Sequence, residues 1–168
     1  ERVIRESLDA VRSAVPSGSR VLEVGYGDGQ LSCWLATELG WSVVGLDVRP
    51  EACAAAQANA KRFGLEDKLD FRVCRPEDTR RHQGTYDAVF VKTVFYSSAS
   101  LAEYGEWLDW VGSVLGPRGV FVNYETGRAN GIVQAYRRLR GRTYTDLCLY
   151  TGEVERLQEG GMVLGMFD

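Results

Sequence analysis

The sequence predicts an α/β domain: a three-layer sandwich with a doubly wound, mostly parallel sheet between two layers of helices. Two observations carry that expectation. Short, nearly continuous apolar runs alternate along the chain with segments whose apolar residues recur every three or four positions. A run that is apolar at every residue is a strand buried on both faces, whereas a strand with one wet face alternates. Strands of the first kind interleaved with amphipathic helices imply right-handed crossovers and helices on both sides of the sheet.

The elements follow in order. Ile4, Leu8, Val11 and Val15 step by four, three and four, the apolar stripe of a first helix ending at Pro16. RVLEVG, residues 20–25, is a β-branched run that breaks into glycines, and LSCWLATELG after it reads as a helix closed by Gly40. WSVVGLD is a second strand, and PEACAAAQANAKRFG a helix with Pro50 in its first turn and Gly64 past its end. LDFRVC and YDAVFVK are the third and fourth strands, and the polar PEDTRRHQG between them leaves room for a very short helix. Leu101, Tyr104, Leu108, Val111 and Leu115 again step by three and four, giving a helix that stops at GPRG before the strand VFVNY. Residues 126–150 are the least regular; TGEVERLQEGG then reads as a helix and MVLGMF as a sixth strand.

Composition bounds the function. With 168 residues, 45% apolar and 26% charged, the chain reads as a single soluble domain over residues 1–168. A net charge of −3 without a long basic block gives no general electrostatic footprint for nucleic acid. Cys33, Cys53, Cys74 and Cys148 include no close pair, and the lone His82 cannot complete a Cys/His zinc cluster, so no metal site and a reduced, cytoplasmic setting are expected. No stretch approaches the ~18–20 apolar residues of a membrane span.

In open parallel sheets, ligands sit at the carboxyl ends of the strands where the crossovers change direction, and the first strand usually borders that point. There VLEVGYGDG supplies Gly25, Gly27 and Gly29, which let the backbone turn sharply and approach a ligand, ahead of a helix whose free amides favour an anion. A dinucleotide fingerprint needs a third glycine where Gln30 stands, which argues against NAD and FAD. Asp47 ends the second strand, where a carboxylate accepts bonds from both hydroxyls of a ribose. Alone it reads as an acid facing solvent; coupled to the glycine loop it reads as the grip on a nucleoside that lacks a pyrophosphate.

VLEVGYGDG resembles the first motif of the class I S-adenosylmethionine-dependent methyltransferases, a Rossmann-like family whose first strand ends in E/D-x-G-x-G-x-G. VVGLDVRPEACAAAQANA resembles the family's second strand, acidic residue and helix; YDAVFVKTVFYS its fourth strand; and VLGPRGVFVNYE its turn into the fifth. Together they cover roughly residues 20–125. The resemblance implies S-adenosyl-L-methionine as cofactor and S-adenosyl-L-homocysteine as product. It also implies roles: Glu23 beneath the loop, orienting the ligand's amino group; Gly25, Tyr26, Gly27 and Gly29 in the loop along the methionine part; Asp47 on the ribose; Val48 beside the adenine. At 75–78 the family commonly sets an acidic residue and an amide against the adenine edge. Here Arg75 takes the acidic position and Pro76 has no amide to donate, which shifts those contacts to Glu77 or Asp78.

Methyl transfer from a sulfonium is an in-line displacement governed by positioning, and a general base is needed only when the acceptor must lose a proton. The resemblance puts acceptor-facing residues at the end of the fourth strand, namely Lys92, Thr93, Tyr96 and Ser97, while Tyr124 and Glu125 follow the fifth. Lys92, Tyr96, Tyr124 and Glu125 are therefore the catalytic candidates. Lys92 also borders the cofactor and could hold an anionic acceptor, though a lysine there more often pairs a neighbouring acid or reaches solvent. No NPPY-like signature is present, which argues against methylation of nucleic-acid adenine. His82, among Arg80, Arg81 and Gln83, reads as a solvated loop histidine rather than a base. AYRRLRGRTYTDLCLYTGE offers donors for a carboxylate or phosphate, or else is the basic face of an exposed helix. The cysteines and Trp34, Trp41, Trp107 and Trp110 read as core packing.

The expected function is methyl transfer to oxygen or nitrogen of a small molecule, with a non-catalytic S-adenosylmethionine-binding module as the alternative. A nicotinamide oxidoreductase is disfavoured by Gln30. The resemblance further implies a seventh, antiparallel strand and an N-terminal lid that the chain, ending at MVLGMFD, does not provide. A fragment, or a minimal enzyme completed by a partner subunit, is the expectation, and a homodimer is one way to cover a bare sixth strand.

Overall fold

Each apolar run becomes a strand of one sheet in the computed structural model, which describes residues 11–92, 94, 101–126 and 162–167. The strands are β1 (Arg20–Val24), β2 (Ser42–Asp47), β3 (Leu69–Val73), β4 (Tyr86–Lys92), β5 (Leu115–Thr126) and β6 (Met162–Phe167). Between them run α1 (Gln30–Glu38), α2 (Pro50–Arg62), α3 (Pro76–Thr79) and α4 (Leu101–Val114). The strand order is β3-β2-β1-β4-β5-β6, and every pairing is parallel. Among the described residues no antiparallel strand stands beside β6, and no helix is long and apolar enough to cross a membrane.

Because successive strand side chains point to opposite faces, β1, β2, β4 and β5 each feed two cores. Val21, Val43, Ala88, Phe90 and Val122 face Val11, Val15, Leu35, Ala36, Ala56 and Ala60 from the helical residues 11–14, the bend at 15, α1 and α2. Leu22, Val24, Leu46, Val89, Val91 and Phe121 face Trp107, Trp110, Val111 and Val114 of α4. Helices therefore cover both faces, the doubly wound arrangement that continuous apolar strands predict. From β1 the chain winds outward through β2 and β3, then returns to β4 on the other side, so the winding reverses between β1 and β4. Parallel strands open a crevice at their carboxyl ends where winding reverses, which locates the site.

The predicted boundaries hold at Pro50, in the first turn of α2, and at Gly40 and Gly64, whose φ of +71° and +65° end the preceding helices in a conformation that glycine adopts freely. Four details differ from expectation. GPRG does not separate α4 from β5: Leu115 already pairs with Tyr86, and the register then skips to Val120 opposite Ala88, so the intervening residues bulge from the strand. Trp34 is 39% exposed on α1, whereas Trp41, Trp107 and Trp110 are core residues as expected. Cys33 and Cys53 are buried, but Cys74 is partly exposed.

His82 is the fourth. It is not a solvated loop residue: its ring nitrogen lies 2.6 Å from the Tyr86 hydroxyl, and its carbonyl accepts the Trp110 indole N–H at 3.1 Å. Burial and the nearby Arg72 and Arg20 guanidinium groups push it below its ordinary value of 6.5, so it is held neutral. It packs at the amino end of β4, across the sheet from the crevice.

Residues 1–10, the Arg- and Tyr-containing segment after Thr126, the predicted helix TGEVERLQEGG and Cys148 lie outside the described residues.

Candidate active site

Gly25, Gly27 and Gly29 all have positive φ, +81°, +60° and +75°, so the turn from β1 into α1 is one that side-chain-bearing residues would strain. The Gly25 N–H continues the ladder to the Leu46 carbonyl at 2.8 Å. The Asn59 amide nitrogen donates to the Asp28 carbonyl at 2.9 Å and ties the turn to α2. Gly29 serves packing: a Cβ there would stand 2.8 Å from the Phe71 ring and 2.9 Å from the Ala56 Cβ. Tyr26 turns its ring inward onto Phe71, 4.8 Å between centroids, and donates its hydroxyl to the Arg72 carbonyl at 3.3 Å, leaving its backbone in the turn. Burial and a hydrogen bond with Cys53 raise its pKa, so it stays protonated.

Glu23 is fully buried, and its Oε2 accepts the Ser32 hydroxyl from the first turn of α1. A carboxylate at that position favours the positive end of the helix and clamps α1 to β1. At the end of β2, the Asp47 side chain is 5% exposed. Its Oδ2 accepts the Gly27 N–H at 3.0 Å, so the acid and the glycine turn form one unit. Its Oδ1 accepts both the Arg49 backbone N–H, at 3.0 Å, and the Arg49 Nε–H, at 3.1 Å, and the Arg49 Nη2 donates to Oδ2 at 3.3 Å. Burial raises the carboxyl pKa, but the hydrogen bonds from Arg49 and Gly27 outweigh it and hold Asp47 below its ordinary value.

The remaining sequence-predicted residues stand as follows. Val48, 53% exposed, follows Asp47, and Val73 at the end of β3 is also exposed. Glu77 and Asp78 are exposed on α3, where Asp78 faces Arg81 at 3.5 Å. Lys92 and Tyr124 are backbone neighbours across β4 and β5; Glu125 follows inside β5, opposite Met166, rather than after the strand. Thr93, Tyr96 and Ser97 lie outside the described residues. Three residues were not anticipated. Ser32 and Arg49 carry no spacing signal beyond standing one helical turn and two residues from the motifs they serve. Asn123 does, as the one amide in VFVNY: it is buried, and its Oδ1 has no hydrogen-bond partner among the described residues.

An ionised carboxylate beside turn amides accepts neutral hydroxyls well, so the arrangement fits the ribose of a nucleoside. A parallel sheet carrying a glycine turn and an acid at its reversal point defines a Rossmann-like domain. The model of the methyltransferase domain family matches residues 21–119, and the chain belongs to that family.

Over 75 residues the chain is 40% identical to the ubiquinone biosynthesis O-methyltransferase of Xanthomonas axonopodis pv. citri (strain 306), a match covering 44% of this chain and 30% of that protein. The chain therefore spans about a third of the length of such relatives. Crystal structures of S-adenosylmethionine-dependent methyltransferases from Thiobacillus denitrificans and Geobacter sulfurreducens, each in complex with S-adenosyl-L-homocysteine, share the fold. Both have a TM-score of 0.68, at 18% and 20% identity respectively, with 92% of this chain and 62% of theirs covered.

Proposed function

We propose that the domain, over residues 1–168, binds S-adenosyl-L-methionine and transfers its methyl group to an oxygen or nitrogen of a small-molecule acceptor, releasing S-adenosyl-L-homocysteine. The observation that carries this reading is the Asp47 carboxylate bonded to the Gly27 amide at the sheet's reversal point. In this reading Asp47 accepts the two ribose hydroxyls. The backbone of Gly25, Tyr26 and Gly27 lines the methionine part, and Val48 flanks the adenine with Glu77 or Asp78 near its edge. Glu23 acts from beneath, through Ser32, by fixing the start of α1. When bound, the cofactor supplies a methyl group already attached to a cationic leaving group, so the protein's task is alignment more than activation.

Acceptor binding is assigned to the carboxyl ends of β4 and β5, with Lys92, Tyr96, Tyr124 and Glu125 as candidate contacts. Asn123, one residue before Tyr124, joins them, because its buried Oδ1 has no hydrogen-bond partner among the described residues. His82 is not in this set, because it is locked at the opposite end of the sheet. Oxygen is favoured as the accepting atom by the O-methyltransferase among the relatives.

Titration calorimetry with S-adenosyl-L-methionine, S-adenosyl-L-homocysteine and NAD in parallel tests the cofactor half. Both adenosyl sulfur ligands are expected to bind and NAD is not; preference for NAD would overturn the reading. Release of S-adenosyl-L-homocysteine with a panel of phenols and amines tests the acceptor half. Tight cofactor binding without turnover on any of them would favour a non-catalytic binding module.

A further inference from the structure

We infer that the Arg49 guanidinium stands where the ribose diol binds, so that nucleoside binding is an exchange in which two hydroxyls replace two N–H groups on Asp47. The inference rests on the cofactor reading above and adds to it a residue that sets the affinity of the site. A carboxylate offers about four lone-pair positions. On Asp47 all are taken: Oδ1 by the Arg49 backbone N–H and Nε–H, Oδ2 by the Gly27 N–H and the Arg49 Nη2–H. The two backbone donors are fixed by the turn and by the start of α2. The two guanidinium donors are the ones a side-chain rotation removes, and a ribose brings the same number of donors to replace them.

The surroundings allow that rotation. The Arg49 side chain is 54% exposed, and although Arg49 is the N-cap of α2, its side chain makes no capping bond, so its departure takes no support from the helix. A Cβ on Gly27 would lie 3.7 Å from the Arg49 Nη2, so the guanidinium overlies the turn whose backbone a ligand must approach. Bidentate Arg–carboxylate geometry fills both oxygens at once, which a lysine point charge would not do. Asp47 is thus kept bonded and ionised until a diol arrives, and Arg49 competes with that diol for the carboxylate.

The test is calorimetric titration of the purified chain with S-adenosyl-L-homocysteine, a zwitterion without net charge. Arg49→Ala is expected to bind about two- to fivefold more tightly than the natural protein, the range set by an ion pair with one exposed partner. Raising salt should tighten binding to the natural protein, by screening the competing pair, and leave Arg49→Ala unchanged. Arg49→Lys should fall between the two. Should Arg49→Ala fold poorly, Arg49→Ser, with a hydroxyl suited to the N-cap, gives the same reading. Equal or weaker binding by the variants, with the natural protein binding normally, overturns the exchange alone. No binding by any of them overturns the cofactor reading and the exchange together.

Discussion

The two ends of the sheet hold polar groups in opposite ways. At the amino end, His82 meets the Tyr86 hydroxyl, the Trp110 indole bonds the His82 carbonyl, the Arg20 N–H donates to Asp87 at 2.8 Å, and the Arg20 guanidinium lies over the Tyr86 ring at 4.8 Å. The Trp110 indole, the His82 ring and the Arg20 guanidinium there end on a backbone carbonyl or on the buried Tyr86 side chain, and only the Arg20 N–H ends on an exposed carboxylate. At the carboxyl end the central acid is also fully bonded, but two of its four bonds come from the half-exposed guanidinium of Arg49, which solvent can take back. A closed network rigidifies its surroundings, whereas a network closed by a removable side chain leaves an ionised acceptor that a ligand can claim. Under the proposed function, the chemistry falls to the end whose bonds are replaceable.

The sharpest way to break the comparison is Asp47→Ala. Two hydroxyl bonds to a charged acceptor contribute about 1.5–3 kcal/mol each. Their loss should weaken S-adenosyl-L-homocysteine binding by a factor on the order of 100 or more. Calorimetry that found unchanged affinity would sink the ribose assignment. Next in size is Gly29→Ala, which puts a methyl group against Phe71 and Ala56 at a φ of +75°. The left-handed backbone costs about 1–2 kcal/mol, and overpacking about 1–3 kcal/mol more. Denaturant titration should show a loss of about 2–5 kcal/mol; a smaller loss would mean that the turn shifts to make room and is not a rigid frame.

Much of this was legible in the sequence because it depends on backbone. The strands, the crossovers and the reversal point follow from apolar periodicity, and the turn follows from Gly25, Gly27 and Gly29, residues whose conformational freedom is itself the signal. Asp47 was legible through its distance from that turn. What sequence spacing does not encode is the direction of a long side chain. Arg49 folds back onto Asp47 rather than out to solvent, Ser32 reaches down to Glu23, and His82 turns into the gap between Tyr86 and Trp110 despite its polar neighbours. Trp34 shows the same limit in reverse, since α1 has apolar residues to spare and one of them is left half-wet. For Lys92, Tyr124 and Glu125, sequence and register together give a position at the strand ends and no more.

Smaller effects sharpen the amino end. Tyr86→Phe removes the hydroxyl beside the His82 ring and should cost about 1 kcal/mol, the usual net value of one hydrogen bond. Cofactor affinity should not move, because the crevice is across the sheet. A loss of S-adenosyl-L-homocysteine binding in this variant would contradict the division between the two ends.

The smallest effect is a pH dependence, and its sign discriminates. His82 has its folded pKa lowered below 6.5 by burial first and then by the Arg72 and Arg20 charges, so as pH falls the unfolded chain takes up the proton before the folded one does. Stability rises with pH wherever the unfolded state holds more protons. The protein should therefore keep its full stability above about 6.5 and lose part of it as pH drops below that value, before the carboxylates titrate. Asp47, whose pKa is lowered, contributes only further down, through loss of its stabilisation below the ordinary carboxylate value. His82 is the one histidine in the chain, so His82→Gln should flatten the melting temperature between about pH 6.5 and 5. It should do so without altering S-adenosyl-L-homocysteine affinity at neutral pH. A melting temperature that instead rose as pH fell through this window would mean that His82 gains a proton on folding, and that the network at the amino end is charged rather than closed and neutral.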